Sequence, residues 1–170
     1  TWADGRRSRL FVATLPTAKP KPVASAVSLT DGLDGDAPSK PFGDASEYAW
    51  SPDGQSLVSG IRVAGKDEAW STNFDLYRLS ADGKAAPVNL TASNPAWDAG
   101  PAFSTDGKVL YYRAMKRPGF EADRFALMAM DIASGQVREI APKWDRSADG
   151  IVLSEDGNKI YTNAQGNGEH

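Results

Sequence analysis

An all-β fold assembled from repeated four-stranded sheets is what this sequence predicts, and three observations predict it. Three segments share one signature: Ala49-Trp50-Ser51-Pro52-Asp53-Gly54, Ala102-Phe103-Ser104-Thr105-Asp106-Gly107 and Val152-Leu153-Ser154-Glu155-Asp156-Gly157. They recur 53 and then 50 positions apart, a period that fits a propeller blade of roughly 40–50 residues and is too long for ankyrin or leucine-rich repeats. Between the signatures the apolar runs are short, and no helical period is sustained over about ten residues. The expected architecture is a β-propeller fragment. It holds about three blades' worth of four-stranded antiparallel sheets, with a half-blade at each terminus.

The signature has a turn mechanism. Pro52 presets φ, Asp53 can hydrogen-bond its own backbone, and Gly54 takes a positive φ at little steric cost. Thr105-Asp106-Gly107 and Glu155-Asp156-Gly157 repeat the Asp-Gly part. Each turn follows an apolar or aromatic residue and precedes an apolar run, as a hairpin between strands one and two of a blade requires.

The other elements follow in chain order. Arg9 to Leu15 and Val23 to Thr30 read as strands three and four of a half-blade, residues 1–30. The Gly- and Asp-rich stretch Asp31 to Asp44 reads as a connection. Glu47 to Trp50, Ser56 to Val63, Phe74 to Leu79 and Pro87 to Thr91 read as the first full blade, residues 46–91. Pro101 to Ser104, Val109 to Ala114, Phe125 to Asp131 and Val137 to Ala141 read as the second, residues 100–141. Gly150 to Ser154 and Lys159 to Asn163 open a further half-blade, residues 149–170. Trp50, Phe103, Tyr111, Tyr112 and Tyr161 sit in or beside strands and are expected to pack between blades.

Composition bounds the chemistry. Of 170 residues, 41% are hydrophobic and 24% charged, enough apolar surface for a core. A net charge of −3 gives no electrostatic case for nucleic acid or anionic membrane. There is no cysteine, which removes disulfides, thiolate metal sites and cysteine nucleophiles. No apolar run approaches the roughly 18 residues of a membrane span. The first residue is not Met, and the chain reads as a fragment of a longer protein.

Nucleophilic catalysis finds no support. The single histidine is His170, at the end of the chain, and no Gly-x-Ser-x-Gly occurs. A serine nucleophile needs a base to take its proton. His170 reads as a solvated terminus. Asp31, Asp34 and Asp36 lack the spacing of a calcium loop and read as Asx turns in a solvated loop. No metal or cofactor is expected.

Two insertions carry the candidate site. They are Gly65 to Asn73 and Met115 to Arg124, each between strands two and three of its blade. Equivalent connections leave a propeller on one face, so both are expected on one rim. They combine Trp70 and Phe120 with Glu68, Glu121, Asp123 and Arg124. Loops on a rigid scaffold are where binding residues concentrate. Glu68, Trp70, Glu121, Asp123 and Arg124 therefore either line a substrate cavity or form a charged network that pins the loops.

Longer strings carry a resemblance. Lys40-Pro41-Phe42-Gly43-Asp44 through Leu57, Asp67 through Leu79, Asn89 through Lys108, Ala114 through Phe125 and Lys143 through Tyr161 closely resemble the propeller of bacterial prolyl oligopeptidase-family serine peptidases. The resemblance is to the dipeptidyl peptidase and acylaminoacyl peptidase branch, and runs from about Lys40 to Tyr161. It implies a longer protein with a C-terminal α/β-hydrolase domain carrying a Ser-Asp-His triad. It further implies a propeller that covers that site, excludes folded proteins and admits short peptides. Relatives of this kind hold a substrate's free α-amine with propeller carboxylates, which makes Glu121 and Asp123 the expected counterparts. The implied source is bacterial, in periplasm or cytoplasm. The chain alone is expected to be noncatalytic, gating and selecting peptides for the missing hydrolase. The alternatives are a free-standing TolB-like protein-binding propeller and a self-assembling structural fragment without activity.

One expectation concerns assembly. Two half-blades with open edges are templates for pairing with another chain. Two full blades and two halves per chain would close a six-bladed ring as a C2 homodimer, within the usual range of four to eight blades.

Overall fold

A computed structural model describes residues 5–15, 25–40 and 43–166. Val23, in the expected second strand, and His170 lie outside the described residues. Twelve strands are present among the described residues. They are β1 (Phe11–Ala13), β2 (Ala26–Ser28), β3 (Tyr48–Trp50), β4 (Ser56–Ile61), β5 (Asp75–Ser80), β6 (Val88–Asn89), β7 (Asp98–Phe103), β8 (Val109–Ala114), β9 (Ala126–Asp131), β10 (Val137–Glu139), β11 (Val152–Leu153) and β12 (Ile160–Tyr161). The fold is all-β, as the repeats require. Two four-stranded antiparallel sheets, β3-β4-β5-β6 and β7-β8-β9-β10, are flanked by the two-stranded sheets β1-β2 and β11-β12. This is a propeller fragment of two blades and two half-sheets.

The signature turns form as their residues dictate. In each, a serine hydroxyl donates to the Asp two positions on: Ser51 to Asp53 at 2.6 Å, Ser104 to Asp106 at 2.7 Å and Ser154 to Asp156 at 2.5 Å. Gly54, Gly107 and Gly157 then take φ of 68°, 71° and 70°, a region that costs a side chain and suits glycine. The hydroxyl is a helpful addition to the Asp-Gly turn, because it fixes the carboxylate that accepts the next backbone N–H.

A second repeat is visible only in three dimensions. The N–H of Leu29 donates to Leu10 O, that of Leu90 to Leu76 O, and that of Ile140 to Leu127 O, each at 2.8 Å. Leu10, Leu76 and Leu127 are thus equivalent positions in three successive sheets. β1 and β2 occupy the places of strands three and four, as the sequence order suggested.

Alternation of burial places the cores between sheets. Leu57, Ile61, Tyr77 and Leu79 of the first blade pack on Leu29 and Ala37 of the preceding half-sheet and its connection. Val58 and Leu76, on the opposite face, pack on Leu110, Tyr112, Ala114 and Met130 of the second blade. Each blade is a wedge with apolar residues on both faces.

Four details differ from the sequence reading. Glu47 lies in a 3-10 turn, Ala45–Glu47, and not in a strand; Asp44 caps that turn by accepting from Ser46 N–H at 2.8 Å. β7 begins at Asp98, three residues early, because a bulge at Gly100 (φ 60°) lets it pair on both sides of the kink. Trp50 and Tyr161 are exposed, whereas Tyr112 is buried. Both exposed rings sit on edge strands, which have one neighbour where Tyr112 on β8 has two. Asp36 is also no solvated turn residue, since it is buried and accepts from the N–H of Ser8 and from Arg7.

Candidate functional site

Both insertions connect a second strand to a third, β4 to β5 and β8 to β9. They meet: the N–H of Gly119 donates to the Thr72 hydroxyl at 2.9 Å. The two loops therefore form one surface. Where they return to their sheets, an aromatic ladder crosses from one blade to the next. Phe74 stacks on Trp97 with centroids 4.8 Å apart, and Trp97 meets Phe125 edge-on at 5.6 Å. The guanidinium of Arg62 lies over Phe74 and that of Arg113 over Phe125, each at 4.9 Å. Sequence reasoning missed this ladder. Its signal was an Arg twelve positions before a Phe in both blades.

The first loop is welded to the preceding half-sheet. Arg7 forms a two-pronged pair with Glu68 at 2.8 Å on both oxygens, and also reaches Asp34 at 2.8 Å and Asp36 at 3.1 Å. Lys40 pairs with Asp36 at 3.0 Å. Burial would raise the Asp36 carboxyl, but the Ser8 N–H, Lys40 and Arg7 outweigh it and hold it below the usual carboxylate range. Glu68 is thus a pinning residue, with Arg62 a further 3.9 Å away.

The second loop is pinned by its own residues. Asp123 accepts from the N–H groups of Lys116 and Arg117, both at 2.8 Å, and pairs with the Arg117 side chain at 3.0 Å. Burial opposes ionisation, yet these donors bring the Asp123 carboxyl down to about 2. Arg124 donates to Trp144 O at 2.9 Å and to Glu139 at 2.7 Å. Lys116 holds the other oxygen of Glu139 at 3.1 Å.

Of the five residues the sequence singled out, Glu68, Asp123 and Arg124 make ion pairs and hydrogen bonds that tie the loops to neighbouring residues. Trp70 is 80% exposed and Phe120 42%. Arg117 covers the Phe120 ring at 3.9 Å. Glu121 is exposed and has no hydrogen-bond or ion-pair partner among the described residues. The arrangement offers two apolar surfaces and one uncommitted carboxylate on a braced platform. Such groups can contact an apolar side chain and attract a cation. Among the described residues no group of His, Cys, Asp and Glu is placed to hold a metal ion.

Fold and loops together define a propeller segment whose two insertions share one surface. Comparison with known proteins narrows the class. No protein-family model matches the chain. It is 30% identical over 140 residues to dipeptidyl-peptidase 5 of Porphyromonas gingivalis, a match covering 82% of this chain and 20% of that protein. It is 31% identical over 156 residues to the probable dipeptidyl-peptidase 5 of Emericella nidulans, covering 86% of this chain and 22% of that protein. With dipeptidyl-peptidase 5 of Porphyromonas endodontalis the identity is 33% over 121 residues, 71% of this chain and 17% of that protein. Over most of its length the chain is similar to a segment of dipeptidyl peptidases, and it spans about a fifth of the length of these relatives.

Proposed function

We propose that this chain is the noncatalytic, substrate-selecting part of a peptidase of the dipeptidyl peptidase kind, working for an α/β-hydrolase domain outside this sequence. The observation that carries the reading is Glu121, exposed and unpartnered among the described residues, on a loop that also carries Phe120 and that hydrogen-bonds the loop bearing exposed Trp70. A peptide with a free α-amine would set its cation against Glu121 and an apolar side chain against the rings. Asp123, the other expected amine partner, already accepts from the Lys116 and Arg117 N–H groups and pairs with the Arg117 side chain. In the full-length protein, Glu121→Gln should raise KM for free-amine peptides about fivefold, the worth of roughly 1 kcal/mol for one exposed charge pair. KM for N-blocked peptides should stay unchanged. Equal effects on both would assign Glu121 no part in amine recognition.

A second reading concerns partners. Phe11, Val152 and Tyr161 are exposed large residues on the two-stranded sheets, and two-stranded sheets are marginal alone in water. In the 170-residue chain these edges would join across two copies as a six-bladed C2 ring. Light scattering at micromolar concentration should then report a dimer. A stable monomer would remove this reading and leave the first intact.

A further inference from the structure

Between the two blades lies a carboxyl group with no counter-ion. Asp98 opens β7 and is fully buried. Its Oδ1 accepts from Asn94 Nδ2 at 2.9 Å, while Oδ2 has no hydrogen-bond partner. No ion pair joins it to a described Lys or Arg. From β5 it is faced by Asp75, a second buried carboxyl with an unpartnered Oδ1, and that strand also carries Tyr77. From β8 it is faced by Tyr112. Glu47 and Arg113 share with it a cavity of about 100 Å³; neither is paired with Asp98, and the buried Arg113 Nε has no hydrogen-bond partner. Glu47 accepts from the N–H and hydroxyl of Ser39, and Arg113 donates to Ala148 O at 3.2 Å.

An ionised Asp98 would be an unpaired buried charge beside another carboxylate, which burial penalises severely. Burial pushes the group up to about 7; Asn94 opposes this and Asp75 adds to it. The connector from Thr91 to Trp97 closes over the same place. It is held by Leu76 N–H donating to the Thr91 hydroxyl at 2.9 Å, Asp98 N–H to Phe74 O at 2.8 Å and Met115 N–H to Trp97 O at 2.8 Å. Its Trp97 ring is the middle rung of the ladder on which both rim loops rest.

We propose that Asp98 is a proton-operated latch between the two blades: neutral, it lets the Thr91–Trp97 connector lie closed, and its ionisation loosens that connector and the base of both rim loops. The inference does not depend on what the rim binds. The sign follows from linkage. A carboxyl raised in the closed state favours closure fully below its ordinary value near 4, and loses that effect as pH rises through 7.

Amide hydrogen exchange of the whole chain, corrected for intrinsic rates, tests it. Protection at Leu76, Asp98 and Met115 should fall about thirtyfold between pH 5.5 and 8.5, the ratio set by carboxyl values near 4 in the open state and 7 in the closed one. Asp98→Asn, which cannot ionise, should abolish the fall. A flat wild-type profile, or the same fall in the variant, would overturn the proposal. Should the variant not fold, the wild-type Asp98 carboxyl carbon can be titrated by NMR. A midpoint near 7 supports the latch, and one in the ordinary carboxylate range overturns it.

Discussion

Leu76→Ala is expected to destabilise the chain by about 2–5 kcal/mol, the range for truncating a leucine in a packed core. Leu76 is fully buried on a central strand of the first blade, and its side chain packs with Leu110, Tyr112 and Met130 of the second. Both its backbone groups are held from the β6 side, its carbonyl by Leu90 N–H and its N–H by the Thr91 hydroxyl. The site therefore cannot collapse around a smaller residue, and the cavity opens at the joint between blades. Domains of this kind hold about 5–15 kcal/mol in total, so the loss is a large share. Val137→Ala, at an exposed position on edge strand β10, should change stability by less than about 0.5 kcal/mol. Urea midpoints at constant slope measure both. A Leu76→Ala cost under about 1 kcal/mol would mean that the blades do not pack as described.

Arg7→Met should cost about 2 kcal/mol and free the first loop. The substitution keeps an unbranched apolar stem and removes the one cation that joins Asp34, Asp36 and Glu68. Breaking a buried pair costs about 3–5 kcal/mol, but Asp34 and Glu68 keep contact with water, which lowers the figure. Asp36 is buried and would be left to Lys40 and the Ser8 N–H. Proteolysis between Gly65 and Asn73 should accelerate in the variant, and cleavage between Met115 and Arg124 should not. In the wild type the clamp also has a pH limit. The Asp36 carboxyl is depressed, so its contribution is present above the ordinary value near 4 and is lost as pH falls through the folded value.

The blades were legible because their information is local. A Ser-x-Asp-Gly turn needs residues four positions wide, and the three copies that follow two apolar residues (Ala49-Trp50, Ala102-Phe103 and Val152-Leu153) set the period. The two loops were legible as insertions against that period, and their meeting follows from it. What the sequence hid is long-range. Arg7 and Glu68 are 61 positions apart, and nothing in either residue announces the other. Glu68, Asp123 and Arg124 read equally well as cavity lining or as bracing, since a carboxylate and a guanidinium serve either purpose. Only the partners decide. Asp36 looked like one more turn residue in a Gly-rich connection, and its burial depends on a strand-three segment from the other side of a hairpin. Asp98 stood in plain view in Trp97-Asp98-Ala99-Gly100, but the bulge that draws it into β7 and under the connector is a property of the folded sheet.

The central claim is that the joined rim loops recognise the free amine of a short peptide without any covalent step. NMR spectra of the isotopically labelled chain, titrated with a short apolar peptide and with its N-acetylated form, test it directly. The account predicts shifts confined to Gly65–Asn73 and Met115–Arg124, larger for the free amine, with the difference removed by Glu121→Gln and the peptide recovered intact. Equal shifts for both peptides, or shifts that leave both loops untouched, would contradict it.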